Sequence, residues 1–410
     1  MSDPPLPSWS PAVEPREWQK QALEEWLKDM RGVASVVTAG GKTLFAFLCM
    51  SEFWQQHQSG RILILVPTIT LLDQWFVSLQ EDFGIPPEMI ACFSGQEKPR
   101  KPGAVNILVI NSGRELVERL ASGEQAFLIV DECHRAGSPE NAKALGGTFA
   151  AALGLSATPH REYDRGFEDN VVPVLGPLIF EYDYGQAYAD GILAPFNLVN
   201  IQVDLLPHEQ KEYDRLTKQA RVLMSKAKAA EVEVGAEERL KRVLQMRAAV
   251  SATATMRLPV AAKIVEENRG SRAIVFHERV KSARTLSHVL KERNHSVCQY
   301  HTDIAPEVRR DNLRLYRRGV FDVLLCCRAL DEGMNVPETV VAVIASSTAS
   351  QRQRIQRLGR VLRPAEGKDK ALIYTLYATE QERRRLVEEA TEMAGVAEVF
   401  WSVSKREPIA

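Results

Sequence analysis

The chain carries almost no excess charge. Its 410 residues hold 52 Lys and Arg against 53 Asp and Glu, a formal net of −1. A protein that holds a polyanion by bulk charge would be basic, so that class is excluded, whereas a local basic track is not. Long apolar runs are also missing. No stretch approaches the roughly 20 unbroken apolar residues needed to cross a bilayer, and no membrane role is expected. The opening residues, MSDPPLPSWSPAVEP, are polar and proline-rich, with no basic segment leading into an apolar one. They do not read as a secretion signal, and residues 1–14 are expected to form a flexible lead-in. Cysteine is sparse: six residues at 49, 92, 133, 298, 326 and 327, none in a C-x-x-C pair. This excludes the usual zinc and disulfide frameworks and points to reduced thiols and a cytoplasmic location. There is no fixed-period repeat and no low-complexity tract.

What is present is an ordinary globular composition, 45% hydrophobic and 26% charged, on a chain long enough for two α/β domains. Short apolar runs rich in β-branched residues alternate with amphipathic stretches. Strands are expected at Ala34–Thr38, Ile62–Val66, Ile107–Ile110, Phe127–Val130 and Ala152–Leu155, each followed by a turn and a helix-like segment. That rhythm predicts a parallel, doubly wound sheet. From about residue 201 to 268 the pattern changes to long, charged helical periodicity, read as an inserted hairpin. Its Lys211, Arg215, Lys218 and Arg221 are interleaved with acids, which favours a solvated face over a nucleic-acid-binding one. Alternation resumes at Ala273–Phe276, Val297–Tyr300, Val323–Cys326, Val340–Ile344 and Ala371–Leu376. The expected organisation is a first domain over 15–200, a helical insertion or linker over 201–268, and a second domain over 269–410.

Two sequences in the first half carry chemistry. Thr38-Ala39-Gly40-Gly41-Lys42-Thr43 follows an apolar strand and precedes a helix, the place of a phosphate-binding loop. There backbone N–H groups converge on phosphate oxygens, a lysine reaches the β and γ phosphates, and the Thr43 hydroxyl can ligate Mg²⁺. Val36 stands where the usual pattern has its first glycine. Leu128-Ile129-Val130-Asp131-Glu132-Cys133-His134 puts two adjacent carboxylates at the end of a buried strand, where open α/β sheets place their ligands. Alone, such a pair is as easily a helix cap. Together with an upstream phosphate loop it supplies the other half of one reaction: Asp131 for Mg²⁺, Glu132 to polarise the attacking water.

These residues resemble the superfamily 2 helicases. Asp131-Glu132-Cys133-His134 is similar to their DExH box, Ser156-Ala157-Thr158-Pro159 to their S-A-T motif, and Pro15-Arg16-Glu17-Trp18-Gln19 to their adenine-reading segment. The resemblance implies two RecA-like doubly wound domains with a helical insertion between them, ATP as substrate and Mg²⁺ as cofactor. It implies base selection by Gln19 with Arg16, a catalytic contribution from His134, and coupling through Ser156 and Thr158. Pro67, Thr68 and Gln74, with Asn111 and Ser112, resemble nucleic-acid backbone contacts, although P-T and N-S after strands are also common turn chemistry. In the second half, Gln356-Arg357-Leu358-Gly359-Arg360-Val361-Leu362-Arg363 matches Q-x-x-G-R-x-x-R, implying that Arg360 and Arg363 present guanidiniums to the γ phosphate, with Gln356 among the catalytic set. Arg328 through Pro337 resembles motif V, with Gly333 and Asn335 toward the nucleotide and Arg328 toward nucleic acid. Asn335 replaces the usual aspartate. His277, and Tyr300-His301, fall where further contacts occur in the family, and equally where core strands end.

Within the superfamily, E-G-x-N-V-P and F-E-Y-D-Y-G-Q-A-Y-A-D-G-I-L-A-P-F are most similar to the XPB, type I/III restriction-subunit and RadD-like branch. The resemblance implies an ATP-dependent DNA helicase or translocase in repair, recombination or defence, DNA being favoured over RNA as partner. Two other readings stay open: an RNA-acting DExH enzyme, and an ATP-switched subunit of a larger complex whose partner supplies nuclease or targeting function.

Overall fold

A computed structural model describes residues 14–37, 40–122, 125–157, 159, 165–191, 196–228, 236–327, 339–346, 370–392 and 397–404. The expected lead-in over 1–14 therefore lies almost wholly outside the described residues. Among the described residues are two seven-stranded sheets in which every pairing is parallel. The first contains β1 (Arg31–Val36), β2 (Arg61–Val66), β3 (Ile90–Phe93), β4 (Val105–Val109), β5 (Ala126–Asp131), β6 (Ala151–Ser156) and β7 (Leu178–Tyr182). Their spatial order is β3-β4-β2-β5-β6-β1-β7. The second contains β8 (Phe196–Gln202), β9 (Ala273–His277), β10 (Val297–Tyr300), β11 (Val323–Cys327), β12 (Val341–Ile344), β13 (Ala371–Tyr377) and β14 (Ala397–Val403), in the order β10-β11-β9-β12-β13-β8-β14.

The strands of the first sheet are apolar on both faces because helices cover both. In β2, Ile62, Ile64 and Val66 enter one buried cluster with Trp26, Phe47, Met50, Phe53 and Phe127. The intervening Leu63 and Leu65 enter the opposite cluster with Leu128, Val130 and Val117. A period of two thus becomes a continuous apolar run, the signature of a buried parallel strand. No helix among the described residues is long and apolar enough to cross a membrane.

The chain divides into two units, and the division differs from the expected one. It falls between Gly191 and Phe196, ahead of β8, which pairs with β13 and β14 in the second sheet. Residues 196–200 therefore do not close the first domain. The expected insertion over 201–268 also divides: helices Pro207–Lys228 and Ala236–Ala252 share a small cluster around Leu216, Ala220 and Val243. Helix Arg257–Glu267 instead buries Ala261, Ala262, Ile264 and Val265 against Val275, Leu325 and Val343 of the second sheet. β3, β7, β8 and β14 were not expected; β3 is four residues long, and β7 and β14 are edge strands with most positions only partly buried or exposed.

Arg257 ties the second unit together. Its side chain is 1% exposed, and it donates to the carbonyls of Ser251 (2.8 Å), Ala345 (2.8 Å) and Leu376 (2.6 Å) and to Glu382 Oε1 (2.6 Å). One guanidinium thereby satisfies a carbonyl just after β12 and another near the end of β13. Truncating one partner of such a buried pair typically costs about 3–5 kcal/mol, because the other groups are left desolvated and unpaired. Arg257→Leu is accordingly expected to lower the stability of the second unit by at least about 3 kcal/mol. Urea unfolding followed by circular dichroism measures this, and a loss below about 1 kcal/mol would show that the carbonyls find other donors.

Candidate functional site

The order β5-β6-β1 places three sequence motifs on neighbouring strands that all run the same way. Asp131, at the end of β5, registers with Leu155 of β6, and Ser156 of β6 registers with Ser35 of β1. The phosphate-loop residues Gly40 to Thr43, the acids and the Ser156 hydroxyl therefore emerge from one edge of one sheet.

Gly41 caps helix Lys42–Gln56 with φ +105°, a left-handed conformation that glycine adopts without strain. A Cβ there would stand 2.7 Å from Gln19 Nε2, and one at Gly40 would meet Val36 Cγ1 at the same distance. Around the loop, Arg16 Nη1 donates to the Gly40 carbonyl at 2.9 Å, Trp18 Nε1 to the same oxygen at 3.2 Å, and Gln19 Nε2 to the Gly41 carbonyl at 2.9 Å. Gln19 Oε1 also accepts from the Arg16 backbone N–H. The fully buried Gln19 amide thus holds the loop to the helix Glu17–Leu27, and its contacts are structural. Trp18 in turn stacks on Tyr182 of β7, with centroids 5.2 Å apart. Thr38 and Ala39 lie outside the described residues.

The acidic pair is held by contacts that no local pattern predicts. Glu132 takes a left-handed conformation (φ +51°), a strained state for a residue with a Cβ that is found disproportionately at functional sites. Its carboxylate lies between two groups, with Oε1 3.5 Å from Lys42 Nζ and Oε2 3.5 Å from His134 Nδ1. His134 Nδ1 is also 3.0 Å from the Ser156 hydroxyl, linking the acidic box to the S-A-T segment. Asp131 accepts from the Glu132 backbone N–H at Oδ1 (3.0 Å) and from the Trp75 indole at Oδ2 (3.0 Å). From the sequence alone Trp75 has no assigned role. Nothing within a single sequence connects positions 75 and 131, and only the fold could. Beneath the pair, burial pushes the Cys133 thiol well up, with Glu132 adding to the effect, so it stays protonated and takes no part as a nucleophile.

The candidate nucleic-acid contacts separate into two groups. Thr68 caps helix Ile69–Glu81, its hydroxyl accepting from the Leu71 N–H at 3.3 Å, and Gln74 lies further along the same helix. Asn111 and Ser112 sit in the first turn of helix Ile110–Ala121, Asn111 exposed. These, with Pro67, follow the ends of β2 and β4 on the edge that carries the acids. His277 does not match its expected role. The ring is 3% exposed and its Nδ1 accepts from the Arg279 N–H at 3.1 Å, so it closes a turn after β9 instead of facing a ligand. Tyr300 and His301 are likewise buried. Thr158, Arg328, Gly333, Asn335, Gln356, Arg360 and Arg363 lie outside the described residues.

Residues 12–161 match the family described as type III restriction enzyme, res subunit, and residues 256–365 the helicase conserved C-terminal domain. The DNA 3'-5' translocase XPB2 of Sulfurisphaera tokodaii is 27% identical over 88% of this chain and 81% of its own length. The DNA 3'-5' helicase XPB of Mycobacterium tuberculosis is 24% identical over 88% of this chain and 60% of its own. S. cerevisiae Dbp5 bound to RNA and ADP BeF3 superposes with a TM-score of 0.62 at 16% identity, covering 95% of this chain and 90% of that one, a likeness of fold. A parallel α/β fold with these two domains makes the chain a superfamily 2 helicase. It belongs to the branch of that superfamily that holds XPB and the restriction-enzyme helicase subunits.

The buried His277 has a measurable consequence. Burial first, then the Arg257 and Arg279 charges, lower its pKa from 6.5 to about 4. Between those values the unfolded chain binds a proton that the folded ring refuses, so stability rises with pH and is lost as pH falls through that window. Thermal unfolding across pH 4 to 6.5 should show this drop. His277→Asn, which keeps an acceptor but cannot titrate, should reduce it; an unchanged slope would assign the drop to other groups.

Proposed function

We propose that this chain is an ATP-dependent DNA helicase or translocase whose catalytic acids are Asp131 and Glu132 and whose phosphate-binding residues are Gly40, Gly41, Lys42 and Thr43. The observation that carries the reading is the convergence of Lys42 and Glu132, 90 positions apart, to 3.5 Å on the edge of the sheet where β1 and β5 end, with β6 between them. Each part suits a step. The N-terminus of helix Lys42–Gln56 offers backbone N–H groups and the positive end of a helix dipole to phosphate oxygens. Lys42 supplies a compact cation to the same oxygens, and Glu132 polarises the attacking water and receives its proton. His134 reports the state of that carboxylate to Ser156, and Thr158 extends the same segment.

The donor set fits a hard divalent cation, because the Thr43 hydroxyl and the Asp131 carboxylate offer only oxygen ligands. With Mg²⁺ held by these residues, the charge that builds on the β and γ phosphate oxygens during transfer would be partly neutralised. From the sequence, Arg360 and Arg363 add guanidinium charge to the γ phosphate, with Gln356, Gly333 and Asn335 near the nucleotide. Arg16 and Gln19 hold the loop and border the adenine. DNA is the proposed track, contacted by Pro67, Thr68, Gln74, Asn111, Ser112 and Arg328, since the XPB relatives bear DNA-acting names. The chain spans 60% of the mycobacterial relative's length, and the proposed assembly includes a protein partner supplying nuclease or targeting function. Its buried thiols, none of them in a disulfide, suit a reducing cytoplasm.

Steady-state ATPase with single-stranded DNA, double-stranded DNA and RNA tests the reading. DNA should stimulate turnover and RNA should not. Glu132→Gln should bind ATP and lose about 10²- to 10⁴-fold in kcat, and Lys42→Ala should lose nucleotide affinity as well. A Glu132→Gln protein that keeps most of its turnover would remove Glu132 from its assigned role.

A further inference from the structure

We infer that Trp75 is a positioning residue for the metal-binding acid: its indole N–H fixes the orientation in which Asp131 presents its carboxylate to the cation. The inference rests on the proposed role of Asp131. Trp75 is 2% exposed and Asp131 8%, so the 3.0 Å contact is shielded from competing water. An indole offers one donor and no acceptor, so the only polar thing this ring can do when buried is point its N–H at an oxygen. A neutral donor bonded to an ionised carboxylate is among the stronger hydrogen bonds and leaves the charge available to a cation. With Oδ1 receiving the Glu132 N–H, both oxygens carry one protein donor, and the plane of the carboxylate is set by two partners on different elements.

The ring itself is held in place. It lies edge-on to Phe47 of helix Lys42–Gln56, with centroids 5.7 Å apart and planes at 83°. Phe47 is in turn packed on Phe83. Trp75 therefore joins three elements: the helix that follows the phosphate loop, the acid at the end of β5, and its own helix Ile69–Glu81, which opens at the proposed DNA contact Thr68. A phenylalanine at this position would fill the space and leave Asp131 Oδ2 without its donor.

The test separates donation from packing. Trp75→Phe should raise the dissociation constant of Mn²⁺ for the ADP complex about fivefold to tenfold, read by electron paramagnetic resonance, and raise the half-saturating Mg²⁺ concentration of the ATPase by a similar factor. Metal-free ADP affinity should stay within twofold of wild type. Phe47→Leu, which loosens the packing but keeps the N–H, should leave Mn²⁺ affinity unchanged. Equal Mn²⁺ affinity in Trp75→Phe and wild type, or an equal loss in Phe47→Leu, would overturn the inference. A second measurement needs no variant at Trp75. In protein with ¹⁵N-labelled indoles, Asp131→Asn should shift one of the six indole N–H resonances strongly, and the same resonance should respond to Mg²⁺ with ADP. No indole responding to Asp131→Asn would overturn it as well. Failure of the underlying reading looks different: Lys42→Ala would then leave Mg²⁺-dependent ATPase intact.

Discussion

The site depends on a constraint of strand order. Because β5, β6 and β1 are neighbours and run in parallel, the chain must leave each of them on the same edge of the sheet, and three loops far apart in sequence meet. Parallel pairing requires a crossover connection, usually a helix laid on one face or the other, so the central strands are buried on both sides and largely apolar. Polar chemistry can then only begin where the strands stop. Asp131 is the last residue of β5 and Ser156 the last of β6, and both are buried polar groups with partners in place.

The loops are stiffened from outside the sheet. Three side chains of one short segment, Arg16, Trp18 and Gln19, donate to two consecutive carbonyls of the phosphate loop. Gly41 and Glu132 both hold left-handed backbone conformations, one at no steric cost and the other at a real one. The strained glutamate is kept by the Lys42 and His134 groups on either side of its carboxylate. The same economy of contacts recurs in the second unit, where Arg257 gathers three carbonyls and a carboxylate.

Much of this was legible in the amino-acid order. The buried strands β2, β5 and β9 announce themselves as apolar runs, and G-K-T, D-E-C-H and S-A-T stand at strand ends because their chemistry has nowhere else to be. What could not be read has physical causes. β8 carries Asn197 and Asn200 among its apolar residues and is bordered by the strand β14 from the far end of the chain, so no local period marks it. The domain boundary was set too late for the same reason. His277 falls where the family places a contact and equally where a core strand ends, and only burial shows that its lone pair is spent on a turn. Trp75 and Asp131 meet through the packing of two elements, information that a linear pattern does not hold.

The distribution of sulfur has a practical side. All six thiols are buried and none is in a disulfide, and burial pushes Cys92 and Cys298 up to about 12, with Cys49 and Cys326 also raised well above the ordinary range. Maleimide chemistry attacks the thiolate, so the native chain is close to silent toward it. A cysteine introduced at one exposed position on each unit, such as Glu25 and Glu292, would therefore take fluorophores without first stripping the natural thiols from the core. The protein comes ready for energy-transfer measurements that follow its two units through a nucleotide cycle.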